Sequence, residues 1–222
     1  MDNKKFELVS FALCPYVQRA RSILLEKKVE HDIKFIELDN PPEWFFDVSP
    51  MEKVPILLVD GEPLFESLAI CEYLDEVTEG SLYPVDPFER ALNRAWIEYG
   101  NAMLNSTFTL YSTDDEKTFK RMTAELDENF DTLEEDVLKG TPFFNGDKFS
   151  IIDAVYAPIF RYHKILEQLH DFGFFDDRPN LTQWSETLLS YHSVVNSVSD
   201  DYFEKQIEML KAQDSVFASK IV

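Results

Sequence analysis

A cysteine at the start of a predicted helix is the residue best suited to chemistry in this 222-residue chain. Cys14 stands between a predicted strand and a helix whose first turn contains Pro15, a position that suits proline. The N–H groups at a helix start carry partial positive charge and stabilise a thiolate, the nucleophilic form of cysteine. Arg19 and Arg21 add positive charge nearby. We therefore predict that Cys14 is a nucleophile with a lowered pKa. The alternative is a small buried residue that happens to precede a helix.

No second thiol is placed to form a disulfide with Cys14 within the first helical turn. Position 17 is Val, so the motif reads Cys-Pro-Tyr-Val rather than Cys-x-x-Cys. This pattern disfavours a dithiol mechanism, and a mechanism with one protein thiol needs an external thiol. The other cysteine, Cys71, lies on the apolar side of a predicted helix, and we interpret it as a buried structural residue.

The elements that position Cys14 lie in residues 1–78, where strand and helix signals alternate. The predicted order is β-α-β-α-β-β-α, in which the β-α-β unit implies a parallel pair of strands. Asp60-Gly61 is a hairpin signal, which adds antiparallel strands and makes the predicted sheet of this α/β domain mixed. The predicted strands cover residues 6–10, 31–38, 54–59 and 63–65. Helices are predicted from 15 and from 68, with Ser67 as the N-cap of the latter, and residues 44–46 predict a short helix or irregular packing.

Strand signals nearly vanish after residues 79–88, a predicted linker with Gly80, Pro84 and Pro87. We therefore predict that residues 89–222 form an all-α domain. One of its helices is preceded by Ser150 and Asp153, which resemble a capping box with Asp in place of the usual Glu. Helices are predicted over 91–110, 116–138, from 150, after 179 and around 202–210.

The charge of the chain excludes several classes of function. The net charge of −21 argues against binding to nucleic acids or to an anionic membrane surface. No apolar run of about 18 residues predicts a membrane span, and the first residues do not resemble a signal peptide. Two cysteines cannot make a disulfide scaffold, so we expect a reducing, cytoplasmic location. We predict no metal site, because no ligand spacing relates the histidines at positions 31, 163, 170 and 192.

Four segments, in this order and spacing, carry a resemblance to a known family over nearly the whole chain. The sequence resembles the cytosolic glutathione transferases, and its cysteine motif resembles their cysteine-type, omega-like branch. The resemblance implies a thioredoxin-like domain followed by a helical domain. The four segments are Cys14-Pro15-Tyr16-Val17-Gln18-Arg19, Lys53-Val54-Pro55-Ile56-Leu57, Phe65-Glu66-Ser67 and Phe149-Ser150-Ile151-Ile152-Asp153-Ala154.

The resemblance implies that glutathione is the co-substrate and that Cys14 forms a mixed disulfide with it. Val54 would pair its backbone with the cysteinyl unit of glutathione, in the manner of a strand. Pro55 would follow a cis peptide bond that makes the required turn. The alternative for Pro55 is an ordinary proline at a strand edge.

The two ends of glutathione are expected to be held by side chains from the second and third of these segments. The resemblance implies that Lys53 attracts the glycine carboxylate and that Glu66 and Ser67 hold the γ-glutamyl end. A hydroxyl and the N–H groups of a helix start suit a carboxylate, and Glu66 can pair with the ligand ammonium. The alternatives are a plain helix N-cap for Ser67 and a solvated loop lysine for Lys53.

The second substrate is expected to meet Cys14 from the helical domain. Phe108 and Tyr111, near the end of its first helix, are candidates for the wall of that site. Core packing is the alternative for both residues, and the sequence does not identify the acceptor.

The function implied by the resemblance is that of a glutathione-dependent thiol transferase or reductase. The substrates would be mixed disulfides, dehydroascorbate-like acceptors or glutathione conjugates. Conjugation of glutathione to a small electrophile is a second enzymatic possibility, although that activity is usually associated with Ser or Tyr at the site. The alternative of another class is a regulatory protein of the same fold that binds RNA polymerase, as the stringent starvation protein does. The resemblance also implies a homodimer.

Overall fold

The computed structural model describes residues 4–221 and contains a mixed four-stranded sheet in its first part. The strand order is β2-β1-β3-β4, with β1 parallel to β2 and antiparallel to β3, and β3 antiparallel to β4. The predicted α/β fold with a mixed sheet is therefore confirmed. The strands are β1 (Phe6–Ser10), β2 (Asp32–Phe35), β3 (Ile56–Val59) and β4 (Glu62–Phe65).

The hairpin between β3 and β4 forms at the predicted turn, where Asp60 and Gly61 both have positive φ angles of 53° and 92°. Two positive φ angles are typical of the tight turns whose twist matches that of paired strands. The edge strand β2 is shorter than the predicted 31–38, because only Asp32–Phe35 pairs with β1.

Helices cover both faces of the sheet because successive side chains of each strand point in opposite directions. Leu8 and Leu57 pack with α1 (Pro15–Glu26) and α3 (Ser67–Glu76) on one face. The opposite face, with Val9 and Ile56, is covered by α2 (Glu43–Val48), mainly through Phe45. Cys14 therefore lies where β1 gives way to a helix that is buried between the sheet and the rest of the chain.

The second part of the described chain is helical, as predicted. Helix α4 is longer than the predicted 91–110, because Asp86 caps it by accepting hydrogen bonds from two backbone N–H groups and Pro87 occupies its first turn. None of the helices within residues 4–221 is long and apolar enough to cross a membrane. The helices are α4 (Pro87–Ser112), α5 (Glu116–Thr132), α6 (Ile151–Leu169), α7 (Pro179–Ser190), α8 (His192–Val195), α9 (Tyr202–Lys211) and α10 (Val216–Lys220).

Helix α5 ends six residues before the predicted 138, in a π-helical turn at Leu133–Val137. The acidic residue Glu134 in this turn makes specific hydrogen bonds. The carboxylate of Glu134 accepts hydrogen bonds from the backbone N–H groups of Asn180 (3.1 Å) and Leu181 (2.7 Å), in the first turn of α7. An anion at a helix N-terminus is stabilising, so Glu134 caps α7.

The predicted capping box starts α6 and is confirmed with Asp153 as its acidic member. Asp153 Oδ2 accepts from Ser150 N at 2.9 Å and from Ser150 Oγ at 2.5 Å. Its Oδ1 accepts from Trp184 Nε1 of α7 and from Phe144 N. These bonds join the start of α6 to α7 and to the loop that precedes α6. Burial raises the pKa of Asp153 to about 6, against the opposing effect of these hydrogen bonds.

Helix α6 packs against α1 and joins the two parts of the molecule. The contact includes buried polar groups besides apolar side chains. Arg161 donates to Gln18 Oε1 and, at 2.7 Å, to the carbonyl of Val194. Gln18 Nε2 in turn donates to Tyr202 Oη at 3.1 Å. This polar network links α1, α6 and α9 across the junction.

A buried ion pair holds the segment that follows α3. Lys27 Nζ lies 2.7 Å from Asp75 Oδ1, both side chains are 5% exposed, and Lys27 also donates to the carbonyls of Glu79 and Gly80. Replacing Lys27 with Met is expected to lower the free energy of unfolding by about 3 kcal/mol, because it leaves a buried carboxylate without its counter-ion. Chemical denaturation monitored by circular dichroism measures this change.

The matched control is the ion pair between Lys205 and Asp201, which has the same 2.7 Å separation but half-exposed side chains. Lys205→Met is expected to cost less than about 1 kcal/mol, because an exposed pair gains little over solvation by water. Equal losses in the two variants would contradict the role given to burial.

Candidate active site

A cavity of about 850 Å³ opens between the sheet and the helical part, and Cys14 lines it. Its walls come from the end of β1, the segment before β3, the start of α3, one face of α4, and parts of α6 and α9. All the sequence-predicted site residues line this one cavity: Cys14, Lys53, Val54, Pro55, Glu66, Ser67, Phe108 and Tyr111.

Cys14 occupies the N-cap position of α1, with Pro15 following as the first helical residue. Its side chain is only 1% exposed, and burial raises the pKa of the thiol above its ordinary value. Ser10, the N–H groups of Val17 and Tyr16, and the charge of Arg19 act in the opposite direction. The prediction of a lowered pKa is therefore wrong for this structure, because desolvation outweighs the helix start and the nearby cation.

The second cysteine has the surroundings of a structural residue. Cys71 is fully buried in α3 and does not line the cavity. Burial raises the pKa of its thiol to about 12, and the charge of Arg19 only partly opposes this effect. Cys71 therefore has little thiolate character in the folded chain.

The segment before β3 forms the wall beside Cys14 on the sheet side. The peptide bond between Val54 and Pro55 is cis, and Pro55 is buried at the entry to β3. Ser49 Oγ accepts from Lys53 N at 2.9 Å and donates to Lys53 O at 2.8 Å, which fixes the backbone of this segment. The Lys53 side chain is exposed at the rim of the cavity, where a carboxylate can reach it.

Glu66, and not Ser67, is the N-cap residue of α3, which corrects the position expected for Ser67. Glu66 has φ 70° and ψ 115°, a conformation that non-glycine residues rarely adopt. This backbone places Ser67 in the first turn of the helix, with its side chain nearly buried, while Glu66 stays exposed. A hydroxyl, free N–H groups of a helix start and a carboxylate therefore meet at one end of the cavity.

The two aromatic residues predicted from α4 lie on the opposite wall. Phe108 is 59% exposed, whereas Tyr111 is 7% exposed, so core packing explains part of the position of Tyr111 but not that of Phe108. Their rings meet edge to face with centroids 5.3 Å apart. Tyr111 also stacks on Tyr162 of α6 with centroids 5.9 Å apart. Aromatic pairs of this kind give the wall a fixed shape.

Several polar residues of the cavity were not identified from the sequence, among them Tyr16, Asn105 and Tyr162. Tyr16 donates to Asn105 Oδ1 at 3.2 Å, and Tyr162 makes a long hydrogen bond of 3.4 Å to the carbonyl of Leu13. The spacing of Asn105 and Phe108 along α4 could have indicated a shared face with Tyr111. Tyr162 gives no such signal, because α6 reads as a uniformly buried helix. No three His, Cys, Asp or Glu side chains are grouped to hold a metal ion within the described residues.

Comparisons with known proteins identify the family. A model of the glutathione S-transferase N-terminal domain matches residues 13–77, and a model of the C-terminal domain matches residues 116–187. Glutathione S-transferase omega-1 of Rattus norvegicus is 33% identical over 187 residues, which cover 83% of this chain and 76% of the rat protein. The chain belongs to the glutathione S-transferase family. It is an omega-like member, as the sequence resemblance implied.

Other glutathione transferases and one differently named protein are similar over most of the chain. Pyrimidodiazepine synthase of Drosophila melanogaster is 32% identical over 190 residues, which cover 82% of this chain and 75% of that protein. The structure of rice GST1 in complex with glutathione superposes with a TM-score of 0.82 at 25% identity, over 95% of this chain and 96% of the rice chain. Glutathione transferase Omega 3C from Trametes versicolor has a TM-score of 0.76 at 25% identity, over 88% and 90% of the two chains.

The predicted glutathione transferase fold is thus confirmed, and the protein is a glutathione transferase enzyme with glutathione as its co-substrate. The relatives do not favour the alternative of a regulatory protein that binds RNA polymerase.

Proposed function

We propose that this enzyme is a glutathione-dependent thiol transferase in which Cys14 is the catalytic nucleophile. One observation carries the proposal: within residues 4–221, Cys14 is the only cysteine that lines the cavity, and it does so at the start of α1. A thiol in this position can exchange with a glutathionyl sulfur bound beside it. With Val17 one turn further on, no protein thiol competes with glutathione for the mixed disulfide.

The proposed reaction has two exchange steps. The Cys14 thiolate attacks the glutathionyl sulfur of a mixed disulfide, so a Cys14–glutathione disulfide forms and the substrate sulfur leaves with the electron pair and takes up a proton. A glutathione thiolate then attacks the glutathionyl sulfur on the enzyme, which releases oxidised glutathione and restores the Cys14 thiolate. The substrate disulfide is reduced by two electrons, and glutathione is oxidised.

Three contacts are proposed to orient glutathione. Lys53 attracts the glycine carboxylate, the Val54 backbone pairs with the cysteinyl unit, and Glu66 with Ser67 holds the γ-glutamyl end. The exposed ammonium of Lys53 and the strained backbone at Glu66 support this orientation, because both residues line the cavity that Cys14 lines. Phe108 and Tyr111 would then face the second substrate, which we propose to be a mixed disulfide, a dehydroascorbate-like acceptor or a glutathione conjugate.

We also propose that the enzyme is a homodimer in which the sheet domain of one subunit faces the helical domain of the other. Three large apolar side chains support this arrangement, because Phe65, Phe88 and Leu92 are 48%, 73% and 41% exposed. A partner subunit that covered them would remove this apolar area from water.

The monothiol cycle needs reduced glutathione, in keeping with the expected cytoplasmic location.

Intact mass after incubation with oxidised glutathione tests the proposed mechanism directly. The wild-type protein is expected to gain one glutathionyl group that reduced glutathione removes, and Cys14→Ala is expected to gain none. An adduct that persists in Cys14→Ala and disappears in Cys71→Ala would show that Cys71, and not Cys14, forms the disulfide with glutathione.

Ser67→Ala is expected to weaken glutathione binding by about tenfold, since it removes a hydroxyl that would bond to a charged carboxylate. The free energy of unfolding is expected to change by less than about 1 kcal/mol, because Ser67 is a first-turn residue and not the helix cap. Calorimetric titration with glutathione measures the affinity. Unchanged affinity would show that Ser67 does not contact the γ-glutamyl end, and Ser81→Ala, in a loop remote from the cavity, is the control.

A further inference from the structure

A buried cation without an acidic partner lies behind Cys14. Arg19 is 1% exposed, and its Nη1 donates to Asn101 Oδ1 of α4 at 2.6 Å. Its Nε and Nη2 are buried without hydrogen-bond partners among the described residues. The guanidinium also lies over the ring of Tyr16, with Cζ 4.9 Å from the ring centroid. A buried charge is costly unless it is paired, so this arrangement indicates a counter-ion that forms under other conditions.

The possible counter-ions are few. The groups whose negative charge would act on Arg19 are the hydroxyls of Tyr16 and Tyr156 and the thiols of Cys14 and Cys71, and none is a carboxylate. Burial raises the pKa values of Tyr16 and Tyr156 above the ordinary phenol value, so both stay neutral in the physiological range. A thiolate is therefore the anion that can pair with Arg19.

Cys14 is the better candidate of the two thiols. Burial raises the pKa of Cys71 to about 12, and Arg19 is the one group that opposes this effect among those acting on it. The sulfur of Cys14 is faced in addition by Ser10 and by the N–H groups of Tyr16 and Val17. Ser10 Oγ is buried and makes no hydrogen bond of regular geometry, so it too is free to donate to a thiolate.

We propose that Arg19 is a positioning residue for the thiol exchange, a guanidinium held by Asn101 that becomes the counter-ion of Cys14 when the thiol ionises. The proposal rests on the proposed function of Cys14 as nucleophile. Arg19 itself does not line the cavity, so the proposal gives it no contact with the substrate. It acts by stabilising the anionic form of Cys14 from a buried position outside the cavity lining.

Other titratable groups face this pair from every neighbouring helix. Burial raises the pKa values of Tyr111, Tyr162 and Tyr202, so all three are neutral in the physiological range. The charged side chains of Glu66 and Lys53 are exposed and line the same cavity as Cys14. The carboxylate of Glu98 in α4 also lines the cavity and accepts from Asn101 Nδ2 at 3.3 Å, so it is linked to Arg19 through Asn101. The other groups to consider are Tyr16 in α1, Glu66 and Cys71 at α3, Tyr111 in α4, Tyr156 and Tyr162 in α6, Tyr202 in α9 and Lys53 before β3.

The test is the rate of Cys14 alkylation by iodoacetamide as a function of pH, in a Cys71→Ala background and without glutathione. Arg19→Gln removes the cation, and Asn101→Asp neutralises it by supplying a carboxylate of nearly unchanged shape. Each variant is expected to move the titration midpoint upward by about one pH unit, which makes alkylation at pH 7.5 about tenfold slower. Asn101→Asp keeps the test valid even if Arg19→Gln does not fold.

Arg21→Gln is the matched control, because Arg21 is on the same helix and donates to the carbonyl of Ser197, away from Cys14. Its profile is expected to match that of the Cys71→Ala parent. Unchanged midpoints in both Arg19→Gln and Asn101→Asp, or an equal shift in Arg21→Gln, would overturn the proposal. Failure of Cys14 to form an adduct with oxidised glutathione would instead overturn the proposed function, so the two failures are distinguishable.

Discussion

Replacing Cys14 with Ala is expected to lower glutathione-dependent disulfide reductase activity by at least about a thousandfold. The substitution removes the atom that forms the covalent intermediate, and losses of this kind are among the largest that single changes cause. Glutathione affinity is expected to stay within about threefold of the wild-type value, because Lys53, Val54 and Ser67 remain in place. Steady-state reduction of a small mixed disulfide, coupled to glutathione reductase, measures the activity.

Cys71→Ala is the matched control for this experiment, since it removes the other thiol of the described chain. Its activity is expected to stay within about twofold of wild type, with a loss of about 1–2 kcal/mol in the free energy of unfolding from the trimmed buried side chain. Full activity in Cys14→Ala would refute the assignment of the nucleophile, even if the protein still bound glutathione.

The second large expected effect is an increase with pH in the rate at which Cys14 attacks a mixed disulfide. Burial raises the pKa of the Cys14 thiol, so the neutral form predominates at pH 7 and the reactive thiolate is a minority. The thiolate fraction then increases about tenfold for each pH unit below the pKa. The rate at which Cys14 attacks a mixed disulfide is therefore expected to increase about a hundredfold between pH 6 and pH 8.

This rate is best measured as a single turnover, with excess mixed disulfide and no free glutathione. Free glutathione has a thiol of its own that titrates in the same range and would distort a steady-state profile. A rate that reaches a plateau between pH 6 and pH 7 would contradict this expectation. It would instead support the lowered pKa of Cys14 that the sequence predicts. The Cys71→Ala variant is expected to give the same profile as wild type.

The fold could be predicted where local signals decide it. Pro15 marks the start of α1, Asp60-Gly61 marks the hairpin, and Ser150 with Asp153 marks the start of α6. Each signal acts over a few neighbouring residues, so the sequence alone contains the needed information. The end of α5 lacks such a signal, because Glu134 caps a helix more than forty residues away in sequence.

The site was predicted in its composition but not in its electrostatics. The motif identifies Cys14 as the first residue to consider, yet its burial depends on side chains from α4, α6 and α9 that no local pattern connects to it. The same holds for Arg19, which the sequence indicates only as a positive charge near Cys14 and which the structure encloses beside Asn101. Desolvation is a property of the assembled structure, and its sign can reverse a prediction made from neighbours in sequence.

The polar network of Gln18, Arg161 and Tyr202 has a consequence for which molecules the cavity can admit. Two purely apolar faces can slide past each other at little cost, whereas buried hydrogen bonds are satisfied in one alignment only. The walls on either side of Cys14 are therefore held at a set separation. We therefore expect acceptors to be selected by thickness, because a molecule wider than the gap would have to break buried hydrogen bonds to reach the sulfur.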